Sequence, residues 1–162
     1  MIIHYMQDRD RALPLSPIPR KNWEIDAYPV NEIAEYVQDV SQGDIDVLVE
    51  EYYNKYDMIL DGRDLEEFKE HVAVQAGIEI GFERFLEEKN YQAIITHFGD
   101  LGSLKQLPGL AIQRLMEKGY GFGGEGDWKT AAMGIEAVYI DGDTTIRNLQ
   151  NELRWNSMYF SK

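Results

Sequence analysis

Apolar residues recur at helical spacing through the middle of this chain and then contract into short unbroken runs, the alternation expected of helices packed on buried strands. Ile33, Tyr36, Val37 and Val40 give the first helical stripe, with Asn31 as its expected N-cap. Ser41-Gln42-Gly43-Asp44 interrupts it, after which Ile45, Leu48, Val49, Tyr52 and Tyr56 line a second helix capped by Asp44 or Ser41. Asp61-Gly62-Arg63 makes a turn, and Asp64 with Glu67 three places on is a capping-box pattern that opens the longest helix, about 64–89. Its inner face is expected to carry Leu65, Phe68, Val72, Gln75, Ile78 or Glu79, Phe82 and Leu86, with His71 exposed or at the edge. Gln92 to Phe98 is a short apolar run of the kind that forms a buried parallel strand. Leu104 to Lys118 returns to helical spacing, with Pro108-Gly109 as a kink or the true start and Gly119 as the cap. A short strand around Tyr120 to Gly123 follows, then a strand at Ile135 to Ile140, a turn at Asp141-Gly142-Asp143 and a helix opened by Thr144. Before all of this, residues 1–29 read as a short strand near Ile2 to Tyr5 and an extended arm. Pro14, Pro17, Pro19 and Pro29 deny that arm ladder donors, and Trp23 and Tyr28 are its expected anchors.

Ligands in α/β sheets bind at the carboxyl ends of parallel strands. Here one such end carries His97, Phe98, Gly99 and Asp100, and the other opens into the glycine-rich stretch Gly119-Tyr120-Gly121-Phe122-Gly123-Gly124-Glu125-Gly126-Asp127. If the two strands run parallel, as strand–helix–strand connectivity requires, His97 and Glu125 converge on one sheet edge. Gly121, Gly123 and Gly126 satisfy a dinucleotide-binding spacing, but a helix rather than a strand precedes them and Glu125 and Asp127 would repel a phosphate, so no nucleotide is expected. The acids suit a hard divalent cation or a proton transfer, or they simply face water in a glycine-rich turn.

The net charge of −13 disfavours nucleic acid and anionic membrane as partners. At 162 residues with 44% hydrophobic composition, one folded unit is expected, and no apolar run approaches the ~20 residues of a membrane helix. Cysteine is absent, and the start of the chain lacks a secretory pattern, so the cytoplasm is the expected location.

His97-Phe98, Leu107-Pro108-Gly109-Leu110-Ala111, Gln113-Arg114-Leu115-Met116 and the Gly119–Ala132 loop together resemble the central domain of L-arabinose isomerases. The resemblance implies that Glu125 is a ligand of a catalytic Mn2+ ion, with Co2+ as a substitute, and an acid/base group. It places Phe98 in the sugar pocket. Residues 30–132 correspond to the central domain, and 134–162 resemble the family's C-terminal tail, with the intervening stretch missing. Of the two glutamates and two histidines that hold the family's metal, only Glu125 has a counterpart, so His97, Asp100 and Asp127 are the candidates for recruitment. The elements and the resemblance imply a single three-layer α/β domain, Rossmann- or flavodoxin-like, with a mostly parallel sheet. They also imply a neutral sugar as ligand and a homo-oligomer with a shared site. Two readings stand: a reduced aldose–ketose isomerase, or a catalytically inactive sugar-binding or subunit-interaction module.

Overall fold

The computed structural model describes residues 2–4, 7–8, 23–60, 62–97, 99, 101–132 and 134. The strand expected at Ile135 to Ile140, the helix opened by Thr144 and most of the proline-rich arm lie outside the described residues.

Ten elements follow in chain order: β1 (Ile2–His4), β2 (Gln7–Asp8), β3 (Trp23–Glu24), β4 (Ala27–Pro29), α1 (Val30–Gln38), α2 (Gln42–Lys55), α3 (Leu65–Glu88), β5 (Ala93–Thr96), α4 (Gly109–Glu117) and β6 (Gly121–Gly124). β1 pairs antiparallel with β4 and β2 with β3, while β5 and β6 run parallel in the register Ala93 opposite Gly121 through Thr96 opposite Gly124. β1 also lies against β5. The described part is therefore mixed α/β, mostly helical, with a small parallel sheet.

The caps explain where the helices begin. Ser41 Oγ accepts the Asp44 amide at 3.2 Å, so of the two expected caps Ser41 opens α2. Asp64 Oδ1 accepts the Glu66 and Glu67 amides, each at 3.0 Å, and opens α3. Asn31 corrects the expectation: α1 already includes Val30, and Pro29 holds the N-cap position without a side-chain bond. Asn31 Oδ1 instead accepts the Ser103 amide at 3.1 Å, stitching the helix start to the loop before α4. A proline satisfies this position because it brings no amide that would need a partner.

Pro108-Gly109 is the true start of α4, and its capping group comes from another helix. Gln75 Oε1 accepts the Leu110 and Ala111 amides at 3.0 and 3.2 Å while its Nε2 donates to Leu107 O at 2.7 Å. Both α3 and α4 end in a residue of left-handed backbone, Asn90 (φ 58°) and Gly119 (φ 102°). Tyr91 and Tyr120 then donate to Leu86 O and Leu115 O, and Asn90 and Gly119 to Glu87 O and Met116 O, the paired closure that turns each chain into its following strand.

β5 is buried along its whole length. Ile94 and Phe122 on one face of the strand pair meet Ile33, Ile78, Phe82, Leu86, Ala111 and Leu115 of the three helices α1, α3 and α4. On the other face Ala93 and Ile95 meet Ala131, from the helical segment that begins at Trp128. α2 packs its Ile45, Leu48, Val49, Tyr52 and Tyr56 stripe against Phe68, Val72 and Ala76 of α3, as its spacing predicts. Leu65, expected inside, is 47% exposed: it begins the first turn of α3, and the packing against the α2 stripe starts three residues on, at Phe68. Tyr28 packs edge-on against Phe85 with ring centroids 5.2 Å apart, the anchoring role expected of it.

Candidate functional site at the carboxyl edge of the parallel strands

The parallel register brings the ends of β5 and β6 side by side, and the two residues that follow them meet. His97 Nε2 lies 3.3 Å from Glu125 Oε2, and both side chains are more than half exposed. Such a contact, 28 residues apart in sequence, follows from placing Thr96 opposite Gly124.

Glu125 owes its position to a tight reversal. The Asp127 amide donates to Gly124 O at 3.0 Å, and Glu125 and Gly126 both have positive φ, 54° and 82°. Two left-handed central residues make a mirror-image type I turn, for which glycine suits the second position and a glutamate at the first is strained. Gly123 is required here: a Cβ on it would sit 2.0 Å from Asp127 O, so only glycine lets the turn fold back over the strand.

Asp127 opens the next helical segment. Its Oδ1 accepts the Thr130 amide at 3.1 Å and its Oδ2 accepts the Thr130 hydroxyl at 2.7 Å. These bonds, the hydroxyl first, hold its carboxyl below the ordinary range. Trp128 is 40% exposed beside this loop, and Lys129 Nζ lies 5.7 Å from its ring centroid. At the end of β5, Thr96 is 1% exposed and its hydroxyl has no hydrogen-bond partner among the described residues. Phe98 and Asp100 lie outside the described residues. Among the described residues no group of three or more His, Asp or Glu side chains is disposed to hold a metal ion.

Two features escape the sequence pattern. Gly99 packs its backbone against the His97 ring, its amide donating to Nδ1 at 3.0 Å. Away from the edge, a charged cluster ties three helices together. Glu79, fully buried, accepts from Tyr52 Oη at 2.6 Å and Arg114 Nε at 2.8 Å. Lys118 Nζ stands 2.9 Å from Glu79 Oε1 as an ion pair set off the hydrogen-bonding axis, and Arg114 Nη2 reaches Glu51 at 2.5 Å. Burial, and then the Glu79 charge, push the Tyr52 hydroxyl far above its ordinary pKa. Burial alone would lower Arg114, but its bonds to Tyr56 and Glu51 and the charge of Glu79 outweigh it. Helical spacing carried a signal for this cluster, since Arg114 falls on the same face as Ala111 and Leu115.

The family model for the L-arabinose isomerase central domain matches residues 19–141. L-arabinose isomerase of Geobacillus kaustophilus is 45% identical over 124 residues, covering 76% of this chain and 25% of the relative. That of Serratia proteamaculans is 49% identical over 122 residues, 74% of this chain and 24% of the relative. That of Yersinia pseudotuberculosis is 50% identical over 115 residues, 68% and 22% respectively. The chain thus spans about a quarter of the length of the curated relatives it matches. By the extent of the family match and the level of identity, this chain belongs to the L-arabinose isomerase family.

Proposed function

We propose that the chain handles a neutral sugar as part of an aldose–ketose isomerase, interconverting L-arabinose with L-ribulose and D-galactose with D-tagatose, with Glu125 as the working carboxylate. The observation that carries this reading is the strained turn that holds Glu125 at the carboxyl edge, 3.3 Å from His97. Strain of this kind persists where the surroundings impose it, and it clusters at functional positions. The buried Thr96 hydroxyl at the same strand end, which has no hydrogen-bond partner among the described residues, is a polar group that a ligand or water could satisfy.

In the proton-transfer step Glu125 takes the C2 proton of the open-chain aldose, the C–H electrons form the C1=C2 bond of an enediol, and the C1=O1 pair moves onto O1, which takes a proton from water. The O2 hydroxyl then returns a proton to the hydroxide left behind, its electrons form the C2 carbonyl, and the C1=C2 pair takes back the proton held by Glu125 at C1 to give the ketose. The family resemblance implies Mn2+, or Co2+, beside Glu125. Among the described side chains no group makes a complete shell for such an ion. The missing ligands are proposed to come from Asp100 or from the same loop of a second copy in a homo-oligomer. Phe98 is proposed to line the sugar pocket. Helices on one face of the β5–β6 pair and Ala131 on the other support a three-layer, Rossmann-like domain with a mostly parallel sheet. No helix among the described residues is long and apolar enough to cross a membrane, and the reading places the chain in the cytoplasm.

The test is ketose formation from L-arabinose and D-galactose by the purified chain with added Mn2+ or Co2+. Turnover above background that disappears in Glu125→Gln is expected; no ketose from the unmodified chain sinks the isomerase reading. One alternative stands beside this reading, an inactive sugar-binding or subunit-interaction module. Sugar binding without turnover, insensitive to a chelator, would establish it.

A further inference from the structure

Two groups face the His97 imidazole. The Gly99 backbone N–H donates to Nδ1 at 3.0 Å, and Nε2 lies 3.3 Å from Glu125 Oε2. A neutral imidazole carries one N–H and one lone pair. The Gly99 amide, being a donor, can meet only the lone pair, so Nδ1 is the bare nitrogen and the proton sits on Nε2, facing the carboxylate. We propose that His97 is a positioning residue for Glu125: held in the Nε2–H form by Gly99, it donates to Oε2 and sets the orientation of the carboxylate at the sheet edge, rather than serving as a metal ligand. Ligation through Nε2 would need the lone pair there and would move the proton to Nδ1, where it would point at the Gly99 N–H. Histidines that bind metals use their second nitrogen as a donor, the reverse of this arrangement.

Residue 99 has to be glycine for this to work. A Cβ there would lie 2.8 Å from His97 Cε1 and 3.0 Å from Nδ1, so any side chain would push the ring off the amide. The sequence His97-Phe98-Gly99 therefore encodes a ring clamped by its own backbone two residues on. A clamped imidazole can hold a mobile carboxylate, whereas an unclamped one on an exposed strand end would turn freely.

The proposal rests on Glu125 being the working carboxylate, but its test reads His97 itself. The full chain, labelled with 15N, is studied by long-range 1H–15N correlation above the ordinary imidazole pKa range. His97 is assigned by the signals lost in His97→Gln. A pyridine-type Nδ1 and a pyrrole-type Nε2 are expected, unchanged by stoichiometric Zn2+, and Gly99→Ala is expected to give a mixture of the two tautomers. An Nδ1–H form in the unmodified chain, or conversion of Nε2 to a metal-bound nitrogen on adding Zn2+, overturns the proposal. In the isomerase assay, His97→Gln, which keeps an N–H donor on the side chain, is expected to retain several-fold more turnover than His97→Ala. Equal losses in the two variants would also overturn it. An Nε2–H tautomer in a chain that makes no ketose would sink the isomerase reading and leave the pairing standing, so the two failures are separable.

Discussion

Asp127 finds its partner within its own turn of helix, which its place in the sequence did not reveal. Its place beside Glu125 suggests a metal-directed carboxylate; both its oxygens are in fact occupied by Thr130. Those bonds lower its pKa in the folded state, so the stabilisation it gives is present above the ordinary carboxylate value and is lost as pH falls through the lowered one. The helical segment after Asp127 is therefore expected to fray below the ordinary carboxylate range, with lower hydrogen-exchange protection, relative to the intrinsic rate at each pH, at the Thr130 and Ala131 amides. Asp127→Ala should show that fraying already at neutral pH. Protection of Thr130 that stays constant across the same range would show that the cap contributes nothing. His97 and Glu125 were legible as a pair because their meeting needs only strand direction. The Gly99 clamp was not, since it depends on how a ring lies over its own backbone.

At the scale of elements, the two glycines inside α3 separate propensity from packing. Replacing a glycine in a helix interior with alanine gains about 1 kcal/mol from backbone entropy alone. At Gly77 a new Cβ would meet only the Ile45 side chain, 3.5 Å from Cδ1 and 3.9 Å from Cγ1, ordinary contacts. At Gly81 it would lie 2.6 Å from Val37 Cα and 2.7 Å from both its Cγ2 and its backbone nitrogen, because α1 lies directly against the α3 backbone at that point. Gly77→Ala is expected to raise the thermal midpoint and Gly81→Ala to lower it, although propensity treats them alike. A rise in both would mean that the α1–α3 crossing can open without cost. The long helix itself was legible almost to its ends, because the capping pattern at Asp64 and the apolar repeat agree. The start of α1 was not, because Asn31 is engaged by Ser103, 72 residues away.

Across the whole molecule, the Glu79 cluster joins α2, α3 and α4 through Tyr52 and Arg114, and Lys118 beside it leads into the turn before β6. Removing one member of a buried ion pair leaves the other uncompensated, at about 3 kcal/mol. Glu79→Gln is expected to lower the urea midpoint accordingly, and Glu79→Leu combined with Arg114→Leu to recover much of the loss. A Glu79→Gln chain as stable as the original would show that water or relaxation already screens Arg114. Spacing left Ile78 and Glu79 as alternatives for the inner face; both are buried, since a charge can go inside when cations from a neighbouring helix come with it. The left-handed backbone at position 125 has a different bearing on the molecule. Glycine would relieve that backbone and erase the acid in a single step, so laboratory evolution rewarded only for heat resistance would tend to delete what a screen for ketose production would preserve.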